Sequence, residues 1–97
     1  MIYATHKLYH SDRFVATFKV VEIEDGCVSD VYDFECEKHS MVWYDAIVLS
    51  PNNCNNRFFA TIADVLRFFG NSNSDSVPLY AYGITYDTDG CMLTRLA

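Results

Sequence analysis

Positive charge is scarce in this sequence. Seven Lys and Arg stand against thirteen Asp and Glu, a formal net charge of −6 over 97 residues. A surface of that sign is repelled by a phosphate backbone, so no nucleic acid partner is expected. Long apolar runs are missing as well. Pieces such as Ala46-Ile47-Val48-Leu49 are strand-sized, far below the ~18–20 residues of a membrane helix, and no membrane association is expected. The start, Met1-Ile2-Tyr3-Ala4-Thr5-His6-Lys7, shows no basic segment followed by an apolar one. A secretory signal is therefore not expected, and the address read from the sequence is cytoplasmic. The cysteines, Cys27, Cys36, Cys54 and Cys91, form no C-x-x-C pair. That excludes a zinc ribbon or a thioredoxin-type motif, and in a reducing compartment it predicts free thiols. P-loop, dinucleotide, G-x-S-x-G and H-E-x-x-H signatures are all lacking, so no cofactor is expected and no reaction is legible.

What is present is material for a core. Hydrophobic residues make up 51% of the chain and charged ones 21%, which predicts one folded domain over residues 1–97 rather than a disordered chain. Ile2–Tyr9 and Phe14–Ile23 are rich in β-branched and aromatic residues and read as strands, joined by the turn-like His10-Ser11-Asp12. In the second of these, Phe14, Ala16, Phe18 and Val20 alternate as one side. Asp25-Gly26 is a strong hairpin signal, because both residues tolerate positive φ, and Cys27–Phe34 returns as the third strand. Glu35–Ser40 is a charged connection, and Met41–Leu49 the fourth strand, with Asp45 its one interior charge. Ser50–Asn56 and Asn71–Ser76 read as polar loops.

Between those loops lies a helix of about 61–70. Thr61 and Asp64 stand at capping-box spacing, Ile62, Val65, Leu66 and Phe69 recur on one helical face, and Gly70 is placed to end it in the left-handed region. Val77–Tyr86 and Cys91–Leu96 complete the set as strands around the turn Asp87-Thr88-Asp89-Gly90. The order is β-β-β-β-α-β-β. It predicts a mainly β (α+β) protein, an antiparallel β-sandwich or partly closed barrel with one short helix.

Three constellations could carry chemistry. His6 and His10 have H-x-x-x-H spacing, but on a strand they would sit ~13 Å apart, too far to share an ion. Asp87-Thr88-Asp89-Gly90 resembles the centre of a calcium loop, yet Thr85 and Leu96 occupy the ends where such a loop needs an Asp and a bidentate Glu. Cys36 and His39 are close enough in sequence to pair, without a third orienting group or an oxyanion hole. No catalytic, metal or cofactor-binding residue is therefore assigned. The aromatic side chains suggest a contact surface instead: Trp43, Tyr44, Tyr80, Tyr82 and Tyr86, with Tyr3 and Tyr9 near them. Trp43 and Tyr44 should point to opposite faces of their strand. Cys54, in its Asn-rich loop, is the thiol expected to be exposed.

Two segments carry a family resemblance. Val20-Val21-Glu22-Ile23-Glu24-Asp25-Gly26-Cys27-Val28-Ser29-Asp30-Val31, followed by Met41–Pro51, resembles the small N-terminal β-domain of the amidohydrolase superfamily. There a strand, an acidic residue–Gly turn and a second strand lead into the catalytic barrel. The tail from Tyr80 to Leu96 is similar to the strands that complete that domain. In the family a His-x-His metal pair follows the Pro. Here Asn52–Arg57 stands in its place, no His occurs after His39, and Ala46 replaces the usual Gly. The resemblance thus implies the composite β-sandwich alone, without barrel or metal.

Three functions follow as expectations. The first is a non-catalytic domain acting by protein contact, as a homo-oligomer (a homodimer) or with another protein. The second is a small-molecule binding domain with an aromatic-lined cleft. The third is a subunit or remnant of an amidohydrolase-like metal-dependent hydrolase.

Overall fold

Two tight turns organise the first half of the chain. In the computed structural model, which describes residues 1–36, 41–70 and 78–97, β1 (Ile2–His10) and β2 (Arg13–Glu24) meet at Ser11-Asp12, with Ser11 at φ 55°. Strand β2 turns into β3 (Cys27–Asp33) through Asp25-Gly26, at φ 55° and 80°. Positive φ at both positions gives the turn a hand that matches strand twist, as the Asp-Gly pair predicts. The chain continues as β4 (Met41–Ser50), β5 (Arg57–Phe59), α1 (Ile62–Phe69), β6 (Tyr80–Asp87) and β7 (Gly90–Arg95). Strand β5 is the one element the sequence pattern did not indicate, since three residues hold no periodicity. Residues 71–76, read as a polar loop, lie outside the described residues.

The protein is mainly β with one short helix, and the seven strands share one mixed sheet in the order β3-β2-β1-β4-β6-β7-β5. Two features depart from expectation. First, β4 lies beside β1 in parallel, Ile2 against Met41 and His10 against Leu49. Short connections were expected to forbid this, but reach is what counts. Strand β3 is short and ends level with Thr5, while β4 begins level with Ile2. The return is ~10 Å along the strands and ~14 Å across three spacings, within the ~26 Å that the chain from Asp33 to Met41 can extend.

Second, the strands form one sheet rather than the two layers of a sandwich, so that of the two architectures expected the partly closed barrel is the one approached. The sheet coils. In a flat sheet β3 and β6 would be ~19 Å apart, four spacings of ~4.8 Å, yet the Val28 N–H donates to the Leu79 carbonyl at 2.8 Å. Tyr3, Leu8, Val21, Ile23, Ile47, Leu49, Ala81 and Leu96 fill the concave side as one core, with Val28, Val31 and Tyr44 against them. Gly83 permits this closure: a Cβ there would come within 2.5–2.8 Å of the Tyr44 ring.

Helix α1 covers part of the convex side. Val65 and Phe69 are fully buried and share a second core with Ala46, Val48, Tyr82, Ile84, Cys91 and Leu93. Eight residues form a helix too short to persist alone, so this packing maintains it. The Thr61 hydroxyl accepts from the Asp64 N–H at 3.2 Å, and the Asp64 carboxylate accepts from Arg67 at 3.1 Å. Gly70 ends the helix in the right-handed region, φ −65°, its N–H donating to the Arg67 carbonyl at 3.2 Å. A tightened last turn thus replaces the left-handed cap expected from the sequence. The Arg57 guanidinium lies 4.7 Å over Phe68 and fastens β5 to the helix. No helix among the described residues is long and apolar enough to cross a membrane.

Candidate functional site

The site follows from a break in strand alternation. Tyr3 and Leu8 are five residues apart and Tyr44 and Ile47 three apart, yet all four pack into the concave core. Odd separations on one face require the period-2 alternation to reset between them. The reset falls at His6, which stands outside both ladders while Thr5 and Lys7 pair on either side. Opposite His6, Phe18 holds φ 53°, and its carbonyl accepts from the Phe34 N–H at 3.0 Å. A bulge adds a second irregularity: Leu8 faces Ala16 and Tyr9 faces Phe14, leaving Val15 as the extra residue. Phe14, Ala16, Phe18 and Val20 therefore do not form the regular side that alternation predicts. Val20 is buried, whereas Phe14 and Phe18 are exposed.

The reset at His6 and the left-handed Phe18 gather rings on the half of the convex side away from α1, while the bulge lies beside the α1 core, against which Tyr9 packs. Trp43 and Tyr44 point to opposite faces, as predicted: Tyr44 joins the concave core, 6.0 Å from the Tyr3 ring, and Trp43 joins the ring cluster. His6 stacks between two neighbours, edge-on to Phe18 at 5.3 Å and tilted on Trp43 at 5.1 Å. Phe34 meets Trp43 edge-on at 4.9 Å. Such offset and T-shaped pairs are the favourable ring geometries. Phe18 remains 50% exposed. On the same side a cleft of about 340 Å³ is lined by Val20, Tyr32, Asp33, Glu35, Cys36 and Met41. The Tyr32 hydroxyl donates to Glu22 at 2.5 Å, and Lys19 pairs with Asp33 nearby.

Of the other tyrosines named from the sequence, Tyr82 and Tyr80 are covered and Tyr86 is exposed. Tyr82 is fully buried in the α1 core, which removes it from any contact surface. Its hydroxyl donates to the Asn52 carbonyl at 2.5 Å and accepts from the Cys54 N–H at 2.9 Å. Burial, above all, pushes that hydroxyl up to about 12. Tyr80 is half-buried beneath the Arg95 guanidinium, 4.6 Å from its ring. Tyr86 is 51% exposed, and desolvation of its hydroxyl, then Cys91, Tyr9 and Asp45, raise its pKa. Desolvation, followed by Tyr3, does the same to Tyr44.

The expected exposed thiol is also corrected. Cys54 is half-buried because the Asn-rich loop folds onto Tyr82, and Cys36, beside the cleft, is the exposed cysteine. Cys91 is buried, and desolvation raises its pKa.

No metal site assembles among the described residues: no three His, Cys, Asp or Glu side chains are grouped to hold an ion. His6 is committed to its ring stack, while His10 Nδ1 is buried at the far end of β1, without a hydrogen-bond partner among the described residues. The His39 half of the Cys36–His39 pair lies outside those residues. Asp87 serves its turn, accepting from the Thr88 N–H at 2.6 Å. Of the cluster, only Trp43 was legible as a surface residue. His6, Phe18 and Phe34 were not, because their meeting depends on a φ value that no local motif announces. No family model, no curated protein and no solved structure matches the chain.

Proposed function

We propose that this chain acts by protein contact, with the rings of His6, Phe18, Phe34 and Trp43 as the contact surface and a second copy of the chain as the partner. Phe18 carries the reading. A bulky residue in the left-handed region costs ~1–2 kcal/mol, and here the strain leaves an aromatic ring half in water. Within the chain the His6 stack and the Phe34 hydrogen bond offset part of that strain, and burial of the exposed half of the ring on association would offset more.

The sheet edges favour a face over strand pairing. Strand β3 presents exposed Asp30 and Asp33, and its Val28 N–H is already used on Leu79, while β5 offers three residues. Charge and brevity are the usual guards against edge-to-edge association. Ring faces and ring edges occur together in the cluster, so one patch can serve both sides of a two-fold contact.

Trp43 is the single tryptophan of the chain, and its fluorescence therefore reports on this surface alone. Its emission is expected to shift to longer wavelength on dilution, as the contact dissociates. Phe18→Asn, whose side chain tolerates positive φ, should show the dilute-state spectrum at every concentration. An emission maximum that does not change with concentration would overturn the partnership with a second copy.

A second reading, small-molecule binding, draws on the cleft, whose volume of about 340 Å³ lies at the small end of the ~300–1,000 Å³ typical of ligand sites. It predicts saturable binding of an apolar dye that Met41→Arg abolishes; unaltered dye binding by that variant would exclude the cleft.

A further inference from the structure

We draw no further inference here: the strongest candidate, the cleft between β2, β3 and the start of β4 with Asp33, Glu35 and Cys36 on its wall, belongs to the site already described, and an exposed acidic pair beside a lone cysteine comes with no second observation that points to a ligand.

Discussion

The two halves of the convex side solve the same problem differently. Under α1 the sheet is closed by side chains that local sequence rules place there: a capped helix delivers Val65 and Phe69 onto Val48, Tyr82, Ile84 and Leu93. Toward β2 and β3 the same side carries a ring cluster built on a positive-φ phenylalanine and an unpaired strand rank. The first half is closed by a capped helix over a buried core, whereas the second holds the left-handed Phe18 and leaves its ring half exposed. Natural folds keep such local conflicts mainly where function requires them. The left-handed Phe18 and the unpaired rank at His6 both fall in the second half, and the proposed contact surface rests on them.

The largest test of this contrast is stability. Phe69→Ala should cost ~3–5 kcal/mol, the range for emptying a buried ring site, whereas Phe18→Ala should cost less than ~1 kcal/mol as a half-exposed position. Chemical denaturation of both variants, compared at conditions where the chain is a single species, measures the difference. Equal losses would mean that the rings form a core like the one under the helix.

Tyr82→Phe comes next, at ~1–3 kcal/mol, because it leaves the Cys54 N–H and the Asn52 carbonyl without their hydroxyl partner. It also has a pH signature. The folded pKa lies above the ordinary value of 10, at about 12. The contribution is thus complete below pH 10 and is lost as pH rises through the folded pKa. Urea midpoints measured across the alkaline range should fall for the native protein, with a smaller fall for Tyr82→Phe. A fall of the same size in both would assign the alkaline loss to other groups.

The smallest effect is at the helix cap. Thr61→Ala removes the acceptor for the Asp64 N–H and should cost ~1 kcal/mol. Because the cap serves only the helix-covered half, thermal unfolding should register the change while Trp43 emission in the folded state stays the same. A shifted folded-state spectrum would show that the two halves are coupled.

What the sequence disclosed follows the range of the interactions involved. The Asp25-Gly26 hairpin and the Thr61-capped helix rest on chemistry within four residues, and both stand where the pattern put them. The opposite orientations of Trp43 and Tyr44 follow from strand period alone. The parallel β1–β4 pair was hidden because it joins residues about forty positions apart and depends on β3 being short. Tyr82 looked like a surface ring because nothing nearby in sequence reveals that Asn52 and Cys54 will satisfy its hydroxyl. The exposure of Cys36 rather than Cys54 has the same origin: composition marks a loop as polar without showing what it folds against. Phe18 is the extreme case, a β-forming residue in a strand whose backbone leaves the β region at that one position.

The most direct measurement is sedimentation velocity of the native chain and Phe18→Asn over a wide concentration range. The native chain should move from a monomer to a dimer boundary as concentration rises, while Phe18→Asn, folded and no less stable by more than ~1 kcal/mol, should remain a monomer throughout. A native chain that sediments as a monomer at every concentration, or a Phe18→Asn variant that dimerises as readily, would contradict the assignment of the ring cluster as the surface where two copies meet.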